Sequence, residues 1–166
     1  MGIDEAVALL SGRPGFLLSR VGTAVQAGFK EVLGRWGIRP MHFLLLVVLG
    51  GVPGASQQEL GRALAVDSGN MVALIDRLEE LGYVQRSRHG GDRRRYVVTL
   101  TRSGRSTLTE ATAAVDAFDS EFLGPLTRSE RQELVAMLGK LYAPTPEARR
   151  QSPPLGVKTS GNEGPR

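Results

Sequence analysis

SQQELGRALAVDSGNMVALIDRLEELGYVQRSRHGGDRRRYVVTLT, residues 56–101, decides how the rest of the chain is read. Ser56 with Glu59 three residues on is the pattern of a capping box, and Leu60, Ala63 and Leu64 follow at helical spacing, which predicts a short helix over about 57–64. Asp67 supplies a second N-cap. Met71, Leu74, Ile75, Leu78 and Leu81 then recur every three or four residues until Gly82 stops the helix. Two short helices joined by a tight turn are the pattern of a helix-turn-helix. Tyr83 to Arg86 reads as a strand, His89-Gly90-Gly91-Asp92 as a turn, and Tyr96 to Leu100 as the returning strand, so a β-hairpin wing follows the second helix directly.

That hairpin concentrates charge. Arg86, Arg88, Arg93, Arg94 and Arg95 stand with one acid, Asp92, for a net of +4, and the formal charge of all 166 residues is also +4. The excess charge of the molecule therefore equals that of one loop. Like charges at a narrow tip repel unless an outside group carries the opposite sign, which points to a polyanion reached by a protrusion. Most charge runs are merely solvated; the position of this one after a helix-turn-helix favours nucleic acid.

Working outward, Pro14 suits a first helical turn, and Leu18, Val21, Val25, Phe29, Leu33 and Trp36 form one stripe of an amphipathic helix over about 14–36. A second helix over about 40–50 carries the near-continuous apolar run Met41 to Leu49, which predicts burial on most sides. That run is too short to span a membrane, and Met1-Gly-Ile-Asp-Glu5 lacks the basic start of a signal peptide, so a soluble, cytoplasmic protein is expected. After Thr101 a long helix carries Leu108, Ala111, Val115, Phe118 and Phe122 at heptad-like steps. Gly124-Pro125 breaks it, and Thr127 with Glu130 opens a last helix bearing Leu134, Leu138 and Leu141. Residues 1–12 read as a flexible segment with a possible short helix at 3–10. Residues 143–166 hold five of the nine prolines and read as a disordered tail. The fold class is thus mainly α with a small β-hairpin: a DNA-binding lobe over about 55–100 and long dimerisation helices over about 14–50 and 102–142. Their apolar stripes exceed what one chain can bury, which predicts a homodimer.

The order long helix, helix, helix-turn-helix, wing, two long helices resembles the multiple-antibiotic-resistance regulator (MarR) family over residues 13–142. Asp76-Arg77-Leu78-Glu79-Glu80-Leu81-Gly82-Tyr83-Val84 looks like that family's passage from recognition helix to wing. Asp92-Arg93-Arg94 before Leu100-Thr101 and Gly104 matches its Asp-x-Arg and Leu-Thr-x-x-Gly signature, and Glu130-Arg131 with Leu134, Leu138 and Leu141 resembles its closing helix. The resemblance implies a homodimeric regulator of transcription, released from a pseudo-palindromic operator by a small aromatic or phenolic ligand. It also implies that Arg94 enters the minor groove and that Asp92 pairs with an arginine to shape the tip. Gly69, Asn70, Val72 and Ala73 depart from the family's usual hydroxyl and basic residues, and His42 stands where glutamine is common.

With Met71, Leu74, Ile75 and Leu78 turned inward, Ser68, Gly69, Asn70, Ala73 and Arg77 face outward, the first three at the end that enters a major groove. Asn70 is the best base reader, because its amide can pair with adenine through two hydrogen bonds; the plainer alternative is a polar first-turn residue. Arg77 suits a phosphate, as do Arg86, Arg88, Arg93 and Arg95 beside the tip. Ser56 and Gln57 at a helix N-terminus suit phosphate too, although as capping residues they need no DNA. Phe29, Trp36, Met41, His42 and Phe43 with Arg39 offer an aromatic wall and one basic group for an aryl-carboxylate, with plain core packing as the equal alternative. Without cysteine, and with His42 and His89 unpaired in any metal-ligating pattern, neither an enzyme, a metal site nor a cofactor is expected. Two alternatives stand beside the ligand-responsive repressor: a winged-helix module that binds protein without specific DNA, and a constitutive regulator with no ligand.

Overall fold

The computed structural model describes Leu10, residues 12–89 and residues 92–142, with only the backbone described at 89 and 92–95. Gly90 and Gly91, residues 1–9 and the tail 143–166, on which expectations of a turn, a flexible start and disorder fall, lie outside the described residues.

Among the described residues, six helices and one hairpin follow in order: α1 (Pro14–Gly34), α2 (Pro40–Gly51), α3 (Gln57–Leu64), α4 (Ser68–Glu80), β1 (Val84–His89), β2 (Asp92–Leu100), α5 (Arg102–Phe122) and α6 (Arg128–Tyr142). The capping residues foreseen from sequence are in place. Ser56 Oγ accepts the Glu59 N–H (3.3 Å) while Glu59 Oε2 accepts the Ser56 N–H (2.7 Å). Thr127 and Glu130 repeat the arrangement at the start of α6. The first helix stops two residues earlier than the stripe suggested: Trp36 and Gly37 donate to Leu33 and Gly34 carbonyls, tightening its end into a turn.

The hairpin is antiparallel and longer than the alternation of apolar residues indicated, pairing Val84 with Leu100 and Arg88 with Tyr96. Arginines at the outer positions obscured the period of two. Val98 N–H donates to the Ala55 carbonyl (2.9 Å), so the residue before the α3 cap is pinned to the wing. The core under these elements gathers Leu33 from the end of α1, Ile38 from the turn that follows it, Leu45, Leu46 and Leu49 from α2, Leu60 from α3, Met71, Ile75 and Leu78 from α4, and Val84, Val98 and Leu100 from the hairpin. Among the described residues these large side chains are almost entirely buried, enough to hold the helix-turn-helix and the wing as one unit.

One expectation about burial needs correction. Helix α2 is buried along one side only: His42, Leu45, Leu46 and Leu49 are inside, but Met41, Leu44 and Val47 are exposed. Helix α6 buries nothing, and Val135, Leu138, Leu141 and Tyr142 are all exposed. In both helices the apolar residues outnumber the surface that a single chain supplies to cover them. The stripe of α1 is taken up at its C-terminal half, where Phe29 meets Phe118 of α5 edge-on (centroids 5.4 Å apart), while Leu17, Leu18 and Val21 stay exposed.

Candidate nucleic-acid interface

The first turn of α4 presents Ser68, Gly69 and Asn70 to solvent, and one turn later Ala73 and Arg77 are exposed on the same helix. Met71, Ile75 and Leu78 are buried and Leu74 is half-buried, so burial of the apolar stripe sets which face is turned out. Asp67 caps the helix, its Oδ1 accepting the Asn70 N–H at 3.0 Å. Asn70 Nδ2 also donates to Asp67 Oδ2, at 2.5 Å. Between α3 and the start of α4 runs a groove of about 770 Å³, lined by Gln57, Gln58, Gly61, Arg62, Ala65, Val66, Asp67 and Ser68. Gln57 and Ser68, expected at the interface, meet here; Ser56 is next to Gln57, with its hydroxyl engaged by Glu59. Arg62, which the sequence reading passed over, adds a cation to this groove. Its place one turn beyond Gln58 was the available signal.

The basic residues divide into two groups. Arg86, expected to face phosphate, is ion-paired to α4 with its side chain about a quarter exposed. One guanidinium nitrogen donates to Asp76 Oδ1 and the other to Glu79 Oε2, both at 2.5 Å, and its own backbone N–H donates to Glu79 Oε1 at 3.0 Å. Partial burial opposes the charge, but the hydrogen bonds of Asp76 and Glu79 outweigh it, and the guanidinium is held more firmly protonated than usual. Asp76 and Glu79, spaced three apart on α4, thus fasten β1 to the recognition helix. Arg77 leans on Glu80 (3.1 Å) and remains exposed. Arg88 is exposed, with its guanidinium 6.0 Å from the ring centre of Tyr96, its cross-strand partner. Asp92, Arg93, Arg94 and Arg95 belong to β2 by their backbone; their side chains, and that of His89, lie outside the described residues.

The six residues considered for a ligand do not form one wall. Arg39, Met41 and His42 line a cleft of about 450 Å³ with Val66, Asn70, Ala73 and Leu74 of the helix-turn-helix. Phe29, Trp36 and Phe43 are half-buried elsewhere and pack on the core. Trp36 Nε1 donates to Glu110 of α5 (3.4 Å), and Tyr83 Oη donates to the Trp36 carbonyl (3.1 Å). His42 caps α2: its Nδ1 accepts the Arg39 N–H at 3.0 Å, the bond a glutamine at the same N3 position would make. Burial, then the positive charges of Arg39 and Arg77, push this imidazole below its ordinary value, in keeping with a neutral ring whose Nδ1 is an acceptor.

Among the described residues no cluster of three acids or histidines could hold a metal ion, and no helix is long and apolar enough to cross a membrane. The sequence profile of the MarR family matches residues 36–95. A helix-turn-helix-type transcriptional repressor of Mycobacterium tuberculosis is 34% identical over 127 residues, spanning 76% of this chain and 91% of that protein. Among solved structures, the transcriptional repressor CouR bound to a 23-mer DNA duplex is 32% identical, with a TM-score of 0.72 over 80% of this chain and 94% of that one. CouR from Rhodococcus jostii RHA1 bound to p-coumaroyl-CoA is 31% identical, with a TM-score of 0.69 over 82% and 96% of the two chains. An exposed recognition helix braced to an arginine-rich wing, together with these likenesses across four-fifths of the chain, makes this protein a member of the MarR family of winged helix-turn-helix transcription regulators.

Proposed function

We propose that the chain acts as a homodimeric repressor on a pseudo-palindromic operator, each α4 entering a major groove while the wing arginines reach the adjacent minor groove. The observation that carries this reading is the exposed first turn of α4, with Ser68, Gly69 and Asn70, held by Asp76, Glu79 and Arg86 beside a strand pair whose sequence is rich in arginine. Arg94 is the groove-inserting residue and Asp92 shapes the tip; Arg77, Arg88, Arg93 and Arg95, with Ser56 and Gln57, contact phosphates; Arg86 serves as the brace. The test is a footprint on duplex DNA with affinity followed against salt. Several phosphate contacts give a steep loss with salt, and Arg94→Ala removes most specific affinity while leaving the fold intact. Operator binding by Arg94→Ala equal to wild type would refute the wing assignment.

The repressor is relieved by a small aromatic acid seated in the cleft of Arg39, Met41 and His42. Support comes from the cleft's mixed lining and from its sharing Asn70 and Ala73 with the exposed face of α4, so that occupancy and DNA binding draw on the same residues. A thermal-shift series with hydroxybenzoic and cinnamic acids, repeated on Arg39→Ala and His42→Ala, tests it. Acids that stabilise wild type weaken operator binding by the same coupling, on the order of 1–3 kcal/mol. Equal stabilisation of both variants would remove this cleft as the site.

A further inference from the structure

The amide of Asn70 has its orientation dictated by Asp67. Both carboxylate oxygens of Asp67 are engaged by this one residue: Oδ1 by the backbone N–H (3.0 Å) and Oδ2 by the side-chain Nδ2 (2.5 Å). An ionised carboxylate accepts hydrogen bonds and donates none, so only the amino end of an asparagine amide can face it. The Asp67 carboxyl is held below its ordinary value, first by the Asn70 backbone N–H and then by its side chain, and it therefore stays charged at neutral pH. With Nδ2 turned toward the cap, the planar amide turns Oδ1 away, on an exposed residue, and that oxygen accepts no hydrogen bond among the described residues.

What the first turn of α4 offers to a partner is therefore an acceptor, with the second Nδ2 hydrogen beside it. The hydrogen-bond donors on the floor of a major groove are the exocyclic amines, adenine N6 and cytosine N4. Adenine alone sets an acceptor, N7, next to that amine and so satisfies both groups of the amide edge. Guanine and thymine present only acceptors there and leave Oδ1 unpaired against a desolvated base.

We infer that Asp67 is a specificity-determining positioning residue: by locking the Asn70 amide with its oxygen outward, it makes adenine the base this residue selects in each half-site. The inference rests on the reading of α4 as the base-reading helix. Its consequence is that a residue touching no base sets which base is read.

The test is selection by the full-length protein from a random-sequence duplex pool, followed by isotherms on single-base variants of the selected site. Wild type prefers adenine at one position of each half-site by roughly tenfold over guanine or thymine. Replacing that adenine by unsubstituted purine, which lacks the N6 amine, costs as much as guanine does. Asn70→Ala abolishes the preference at that position alone; an Asn70→Ala protein that keeps every wild-type preference removes Asn70 as a reader and this inference with it. Asp67→Ser retains an oxygen to cap the helix but not the second oxygen that holds the amide. Its preference at the same position falls toward that of Asn70→Ala, while its thermal midpoint stays near wild type. Asp67→Asn also caps through its oxygen, yet it turns an amino group toward Asn70 and flips that amide, so the preference moves to guanine or thymine. If Asp67→Ser and Asp67→Asn both select adenine at that position as strongly as wild type, Asp67 has no part in specificity.

Discussion

The backbone carbonyl of Tyr83 occupies the space where a β-carbon on Gly104 would sit, so the first turn of α5 lies directly against the chain that links recognition helix to wing. Thr101 completes the joint. Its hydroxyl donates to the Gly82 carbonyl (2.7 Å) and accepts the Gly104 N–H (2.9 Å), and its own N–H donates to the Tyr83 carbonyl (3.0 Å). Gly82 itself has φ +73°, a left-handed bend that an L side chain resists. The Leu-Thr-x-x-Gly pattern thus packs and hydrogen-bonds the lobe onto the start of the long helix. Gly104→Ala must push the carbonyl of Tyr83 aside and is expected to destabilise by about 2 kcal/mol or more. Thr101→Val, which removes the cap and the hydroxyl's bonds to the Gly82 and Tyr83 carbonyls, should cost about 1 kcal/mol. Urea unfolding of the two variants checks the order; equal midpoints for Gly104→Ala and wild type would contradict the packing.

Arg86 is the second joint, between β1 and α4. Its side chain is about a quarter exposed, so water screens the two ion pairs, and Arg86→Gln should lower global stability by only about 1 kcal/mol. The larger effect is on recognition. Freed from Asp76 and Glu79, the wing no longer keeps its distance from α4, and the two acids are left charged on the recognition helix. Operator affinity is therefore expected to fall at least tenfold, on the order of 1.4 kcal/mol, with the slope of affinity against salt unchanged, because no phosphate contact is lost. A slope reduced by about one would instead make Arg86 a phosphate ligand.

Much of this arrangement was legible in the residues because it is local. Capping boxes at Ser56 and Thr127, the Asp67 cap and the inward stripe of α4 all lie within one turn of their partners, and each appears where its spacing placed it. The brace at Arg86 was hidden for the opposite reason: five arginines in one run look alike, and what distinguishes one of them is a pair of acids seven and ten residues back on another element. The six residues offered as a ligand wall are divided between a cleft and the core for a similar reason. Phe29 and His42 are close along the chain, but Phe29 is claimed by Phe118 of α5 and His42 by the α2 cap. Helical order on one element carries no information about which neighbour a side chain will meet.

His42 gives the protein a predictable response to acid. Its folded-state affinity for a proton is lowered, by burial first and by Arg39 and Arg77 next, while the unfolded chain protonates near the ordinary value of about 6.5. Above that value neither state binds the proton, and the stability is fully present. As pH falls through 6.5 the unfolded state takes up a proton that the folded state refuses, so stability declines until the folded pKa is reached. The slope is at most one proton, about 1.4 kcal/mol per pH unit. His42→Gln can keep the bond to the Arg39 N–H without titrating, and its stability should be flat over the interval where wild type declines. Parallel wild-type and His42→Gln curves between pH 7 and pH 5 would exclude His42 as the source.

The apolar face of α6 is open, as the proposed homodimer requires. Leu138 is 40% exposed, Val135 61% and Leu141 70%, on a helix that buries nothing against its own lobe, and Leu17, Leu18 and Val21 are uncovered at the start of α1. Six large aliphatic side chains left 40–70% exposed forgo part of the roughly 1.5–3 kcal/mol that full burial of each would bring, and a twofold pairing of α1 and α6 recovers much of that by covering both sets at once. Light scattering at micromolar concentration should therefore report twice the chain mass of 17.9 kDa. Leu138→Glu with Leu141→Glu places two charges on each side of that contact and should yield monomers whose lobe remains folded, since neither residue belongs to the core. Such monomers lose the doubled contact with a palindrome, and operator affinity should drop toward that of a single half-site. A wild-type monomer at these concentrations, or a double variant that stays dimeric, would place the interface elsewhere or remove it.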